Sequence, residues 1–143
     1  MTLHVGLGTF LPVIVDDLNQ HEMHEEYLEV SAEPWKSLQR ARSEGRRVWC
    51  LGTTAVRAVE SVAQNLITAS DTGFFGSTKL LIQPGYEFQV VDRLLTNFHQ
   101  PQSTLLALVG AFAGLDQVKA CYSWAIERRF RLFSYGDLSV WIR

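Results

Sequence analysis

The run Val48-Trp49-Cys50-Leu51 passes through Gly52-Thr53-Thr54 into a helical repeat, with Ala55, Val59, Val62 and Leu66 at helical spacing. A short apolar run closed by glycine reads as a strand, and the spacing that follows reads as an amphipathic helix from about Thr54 to Leu66. Strand followed directly by helix is the repeating unit of α/β architecture.

The rest of the chain extends the alternation. Leu3 to Val5, Pro12 to Val15 and Tyr27 to Val30 read as strands before the first helix. That helix opens at Pro34, where a missing N–H costs nothing, carries Trp35, Leu38 and Ala41, and stops at Gly45. Ser70 to Ser77 reads as a loop, and Leu80 to Ile82 and Glu87 to Val91 as strands on either side of the Pro84-Gly85 turn. A helix opening at Pro101 and Ser103 and ending at Gly114 carries Leu105, Leu108, Val109 and Phe112. A last helix begins at Asp116 as N-cap and places Val118, Cys121, Tyr122, Ala125 and Ile126 on one face. Leu132 to Ser134 and Leu138 to Ile142 close the chain as strands. The predicted organisation is a single α/β domain over residues 1–143.

Composition narrows the function. Hydrophobic residues make up 47% and charged residues 20% of the 143, which supports a folded core and excludes general disorder. A net charge of -2 argues against nucleic-acid binding through bulk positive charge, although Arg40, Arg42, Arg46, Arg47 and Arg128, Arg129, Arg131 form two local basic clusters. Either cluster can contact phosphates or simply complement a helix C-terminus. No stretch approaches the ~20 apolar residues of a membrane span, and the first residues lack the pattern of a secretory signal. A cytoplasmic setting is expected, with Cys50 and Cys121 as reduced, small hydrophobes.

Four segments are candidates for chemistry. In His4-Val5-Gly6-Leu7-Gly8-Thr9-Phe10, Gly6 and Gly8 allow close backbone approach to a ligand, or merely a tight turn; the third glycine of a dinucleotide fingerprint is missing. Gly52-Thr53-Thr54 with Arg57 opens a helix whose free N–H groups suit a carboxylate or phosphate. The plainer account there is a threonine cap with an Arg57–Glu60 surface pair. In Thr96-Asn97-Phe98-His99-Gln100-Pro101-Gln102-Ser103-Thr104, an amide, an imidazole and two hydroxyls can read a base or sugar edge. The plainer account makes Ser103 an N-cap and His99 a loop residue. In Phe133-Ser134-Tyr135-Gly136-Asp137 a strand ends in a turn, with Asp137 as an acceptor or base, or simply a turn residue. His21-Glu22-Met23-His24-Glu25-Glu26 lacks metal-motif spacing and reads as a solvated acidic loop, so no metal site is expected.

Together these segments resemble one family, the S-adenosylmethionine:tRNA ribosyltransferase-isomerases of queuosine biosynthesis. The resemblance runs from about Leu3 to Asp137. It is carried by Leu3 to Phe10, Gly52 to Arg57, Pro84-Gly85-Tyr86, Val91 to His99, Pro101 to Leu106, Ala111 to Gly114 and Arg131 to Asp137. Leu7, Ala55 and Gln100 depart from the residues usual in the family, as does the tail Leu138-Ser139-Val140-Trp141. Family members are more than twice as long. The resemblance therefore implies the C-terminal portion of the family's α/β domain, without the first part of that domain or the small β-barrel domain inserted in it.

The activity implied is transfer and isomerisation of the ribosyl group of S-adenosylmethionine onto 7-aminomethyl-7-deazaguanine at the wobble position of tRNA, giving epoxyqueuosine tRNA; the alternative is a non-catalytic remnant or split-enzyme fragment that retains ligand or tRNA binding. S-adenosylmethionine is then a substrate, with no resident cofactor, and the expected partners are that tRNA and a missing N-terminal half. Within this framework His4, His99 and Asp137 are the acid/base candidates. Gly6, Gly8, Thr9, Thr53, Thr54, Arg57, Tyr86, Asn97, Ser103, Thr104 and Tyr135 are the candidate substrate contacts. Thr53, Thr54 and Arg57 are expected to grip an anionic group, and Tyr86, Tyr135 and Phe98 to stack on a base.

Overall fold

A computed structural model describes residues 1–6 and 11–143. Gly8 and Thr9 lie outside the described residues. The elements run β1 (Thr2–His4), β2 (Glu26–Ser31), α1 (Ala32–Ser43), β3 (Trp49–Leu51), α2 (Thr53–Ala63), β4 (Thr68–Ser70), β5 (Gly73–Thr78), β6 (Arg93–Asn97), α3 (Thr104–Ala113), α4 (Leu115–Glu127) and β7 (Leu138–Ile142). The fold is mixed α/β, built on two sheets. One is antiparallel, in the order β1-β2-β5-β4, and the other has the order β3-β6-β7. In the second sheet β3 and β6 are parallel and β7 is antiparallel to β6.

Helix α2 joins the two sheets. Val56 and Val59 belong to the core above β3 and β6, with Leu94, Leu108, Val109 and Phe112. Ala58 and Val62 belong to a second cluster with Leu28 and Val30 of β2. A surface helix buries one stripe; α2 buries Val56 through Val62 without a gap. Two polar residues in that stretch are satisfied inside the core. Ser61 Oγ shares a 2.8 Å hydrogen bond with Thr78 Oγ1. Glu60 is fully buried, and its carboxylate accepts from the backbone N–H groups of Gln89 (2.9 Å), Val90 (2.9 Å) and Val91 (3.0 Å) and from the Tyr86 hydroxyl (3.1 Å).

Glu60 explains one departure from the sequence reading. Glu87 to Val91 has the composition of a strand but forms none, because three of its N–H groups bind a carboxylate in place of a neighbouring strand. Pro12 to Val15 is likewise not a strand; Val13 N–H bonds the Gln102 carbonyl at 2.7 Å and docks the segment beside α3. Leu80 to Ile82 is irregular, with Ile82 packed in the core. Leu132 to Ser134 gives way to a single 3-10 turn at Phe133–Tyr135, where Phe133 has φ +59° and its N–H bonds the Phe98 carbonyl at 2.9 Å.

The expected loop Ser70 to Ser77 is a hairpin. Its glycines, Gly73 (φ +142°) and Gly76 (φ +151°), lie within β5 in backbone conformations that favour glycine, and Gly73 lies so close to β2 that a Cβ would stand 2.3 Å from the Val30 carbonyl oxygen. Helix α1 starts at Ala32, ahead of Pro34, and α4 is capped by Gly114, with Asp116 in its first turn. Helix α2 stops at Ala63. Both cysteines are free, and burial pushes the Cys50 thiol up to about 12.

Glu60→Gln replaces one acceptor oxygen with an amide donor that faces N–H groups. It should destabilise the chain by about 2–4 kcal/mol, measured as a lower urea midpoint with an unchanged m-value. A change within ~0.5 kcal/mol would mean that the carboxylate is not what holds residues 89–91.

Candidate functional site

Strands β3 and β6 end side by side, and the chain leaves both at the same edge of the sheet. After β3, Gly52 turns into α2 with φ +82°, a conformation that strains any side chain-bearing residue. After β6, Asn97, Phe98 and His99 lead towards α3. An open cleft of about 280 Å³ lies at this edge, between Gly52, Thr53 and Thr54 of the α2 start, Thr96, Asn97 and His99, and the turn residues Phe133 and Ser134, with Val5 and Leu105 completing its wall. Ligands of open α/β sheets bind in this place, outside the carboxyl ends of parallel strands.

The floor of the cleft is the start of α2. Gly52 has no side chain to cap it, and no side-chain hydrogen bond caps the helix. The first-turn N–H groups therefore face the cleft with the positive end of the helix dipole. Among the described residues, no acidic side chain lines the cleft, so the arrangement favours an anionic group such as a carboxylate.

His99 is buried, and its Nε2 stands 3.0 Å from Thr96 Oγ1. Its backbone N–H donates to the Tyr122 hydroxyl at 3.0 Å. Behind the ring lies an apolar pocket formed by Phe98, Tyr122, Phe130 and Leu132. Removal from water lowers the imidazole pKa to about 4. His99 is thus neutral at pH 7: it can accept a proton or a hydrogen bond there but holds none to give as an imidazolium. The Thr96 carbonyl accepts from Ser139 Oγ (3.1 Å), which itself accepts from Trp141 Nε1 (2.8 Å), so a polar chain runs from His99 into β7.

Asn97 donates from Nδ2 to the Asp137 carbonyl at 3.3 Å. The Asp137 carboxylate accepts from the backbone N–H and from Nε of Arg131, and these contacts hold its pKa below the usual range. Asp137 therefore closes the turn that presents Phe133 and Ser134, and Asn97 is fastened to the same turn.

The other expected residues sit elsewhere. Arg57 does not line the cleft. It is buried with Nη1 2.6 Å from Glu26 Oε2, and desolvation lowers its pKa while Glu26 opposes the shift. Glu60 binds the 89–91 backbone, so the alternative Arg57–Glu60 surface pair is also absent. Tyr86 stacks edge-on against Phe88 and donates to Glu60. Ser103 is the N-cap of α3, accepting from Leu106 N–H at 3.1 Å, and Thr104 is buried just after it. His4 is exposed and packs its ring against Tyr27, while the neighbouring Val5 reaches the cleft. Gly6 does not line the cleft, and Tyr135 is largely exposed.

Three residues with structural consequence, Glu26, Phe133 and Ser134, differ from the sequence reading. Glu26 belongs to the segment read as a solvated loop, yet it is the first inward residue of β2; the alternation Glu26, Leu28, Val30 is the signal that marks it. Phe133 and Ser134 enter the cleft only because the expected strand is a 3-10 turn.

The family model for queuosine biosynthesis proteins matches residues 1–141. An S-adenosylmethionine:tRNA ribosyltransferase-isomerase from Dichelobacter nodosus is 52% identical over 138 residues, which cover 96% of this chain and 38% of the relative. The crystal structure of an S-adenosylmethionine tRNA ribosyltransferase from Thermotoga maritima superposes with a TM-score of 0.75 at 43% identity, over 82% of this chain and 41% of that one. The chain thus spans about two-fifths of the length of the relatives it matches.

The buried imidazole makes stability depend on pH. His99 binds a proton near 6.5 in the unfolded chain and near 4 in the folded one, so the unfolded state gains protons first on acidification. Stability should fall from pH 6.5 towards pH 4, by up to about 3 kcal/mol from this group. Chemical denaturation across that range should show a shallower dependence in His99→Gln. Identical slopes in the two proteins would place the imidazole in water.

Proposed function

The chain belongs to the queuosine biosynthesis protein family, and from that membership we propose that it forms one wall of the active site of an S-adenosylmethionine:tRNA ribosyltransferase-isomerase. The observation that supports this reading is the cleft itself: the start of α2, the end of β6 and the Phe133–Tyr135 turn, each singled out for its polar residues, meet at one sheet edge.

The reaction transfers and isomerises the ribosyl group of S-adenosylmethionine to a 7-aminomethyl-7-deazaguanine base in tRNA, releasing adenine and methionine. It requires removal of a proton from the carbon beside the sulfonium, which the positive sulfur acidifies. It also requires assistance to the departing adenine and a grip on the methionine carboxylate. The uncapped start of α2, with Thr53 and Thr54, suits the carboxylate. Asn97, held by the Asp137 carbonyl, offers an amide for a base or ribose edge. His99 is the proton acceptor in this scheme: it is neutral at pH 7, and because burial lowers its pKa to about 4 it is a weaker base than a free imidazole. Asp137 orients Asn97, and His4 lies one residue from the cleft wall. S-adenosylmethionine is the ribosyl donor and a substrate, tRNA the acceptor, and the cytoplasm the setting. Among the described residues, no single helix is long and apolar enough to cross a membrane.

The chain spans 38% of the Dichelobacter nodosus relative, which favours a division of labour: this portion binds ligand, and turnover requires the rest of the relatives' fold. Adenine release from S-adenosylmethionine, in the presence of tRNA carrying the aminomethyl-deazaguanine base, tests this directly. The chain alone should be at least ~100-fold slower than a chimera in which it replaces the matching part of that relative. In the chimera, His99→Gln should lower turnover about 100-fold with little change in melting temperature. Robust release by the chain alone would defeat the division of labour. Unchanged turnover in the His99 variant would remove the cleft from the chemistry.

A further inference from the structure

We propose that the outer face of the β3-β6-β7 sheet is the docking surface for a layer of amphipathic helices supplied by the part of the relatives' fold that this chain does not span. The two faces of this sheet differ in a telling way. Helices α2 and α3 cover the inner one, where Cys50, Leu94, Ser139 and Trp141 are buried. The register places Trp49 beside Arg93 and Ile142, Leu51 beside Leu95 and Val140, and Asn97 beside Leu138, all on the opposite face. On that face Trp49, Leu51, Leu138, Val140 and Ile142 are each 49–70% exposed.

The pattern is the reverse of a strand that meets water. In β7, Leu-Ser-Val-Trp-Ile, the serine points inward and the three outward positions are Leu, Val and Ile. In β3, Trp-Cys-Leu is apolar on both sides. Strands that are apolar on both faces belong to parallel sheets covered on both sides by helices. The antiparallel sheet offers the contrast within the same chain: β2 alternates, with Glu29 and Ser31 among its outward residues. A contiguous apolar surface of this kind marks an interface, and here one cover is missing. The relatives supply the candidate, because about three-fifths of the Dichelobacter nodosus protein lies outside the match. Among the described residues, Arg93 is the one charged side chain on the face, and its Nη1 donates to the carbonyls of Asp92 (2.8 Å) and Arg143 (2.7 Å), so part of its hydrogen-bonding capacity is already met within the chain. The proposal rests on the family match and not on the chemistry of the cleft, so its readout is independent of turnover.

Thiol labelling resolved by peptide mass tests it. Leu51→Cys and Val140→Cys are placed singly in the isolated chain and in the chimera, with Ile126→Cys on α4, 72% exposed, as a control. Cys50, buried on the inner face, reports that the sheet is folded. The expected result is rapid labelling at 51 and 140 in the isolated chain, about 100-fold slower labelling in the chimera, and no change at 126. Equal rates at 51 and 140 in the two proteins would overturn the proposal. Slow labelling already present in the isolated chain, and lost on dilution, would overturn it in favour of a second copy of this chain as the cover.

Discussion

The carboxylate of Glu60 is the contact on which the arrangement depends. It lies on α2, between the two sheets, and takes the N–H groups of three consecutive residues just before β6. A buried carboxylate is costly unless its oxygens are occupied, and here four donors occupy them. The result fixes where β6 begins relative to α2. Because β6 pairs with β3, and β3 runs into α2 through Gly52, this one contact closes a loop of structure. The position of Asn97 and His99 relative to Thr53 follows from that closure.

A second buried carboxylate fixes α2 on its other side. Glu26 at the start of β2 meets Arg57 inside the protein. Such a pair adds little net stability, because both charges are desolvated, but losing either partner would strand the other. The two acidic residues thus orient one helix between two sheets: Glu60 towards the parallel strands and Glu26 towards the antiparallel ones. Neither role follows from sequence proximity, since the sequence places Glu60 three residues from Arg57 and the structure pairs each with a distant segment.

That difference marks the boundary of what the sequence made legible. The α2 junction, the α3 cap at Ser103 and the strand at Leu138 to Ile142 are local: each depends on propensity, capping or alternation within a few residues. The elements misread are those decided by distant partners. Glu87 to Val91 loses its strand to Glu60, and Gly73 is a strand residue because β2 lies against it. The same division runs through the candidate site. Segments Gly52 to Thr54 and Thr96 to His99 were visible as polar groups at element boundaries. Arg57 and Tyr86, in similar motifs, serve the core instead, and only tertiary structure separates the two kinds.

The polar chain from the cleft to β7 links the site to the sheet's uncovered face. His99 bonds Thr96, the Thr96 carbonyl accepts from Ser139, and Trp141 donates to Ser139. Ser139 and Trp141 alternate along β7 with Leu138, Val140 and Ile142, so a strand has one face tied to the imidazole and the other to solvent. A strand at a sheet edge with an exposed apolar face is among the segments most easily displaced. Any shift of β7 would move Ser139 relative to Thr96, and with it the group that orients His99. A layer that covers the outer face would therefore hold the imidazole in register without touching the cleft, which gives the rest of the relatives' fold a physical route to activity through this portion of it.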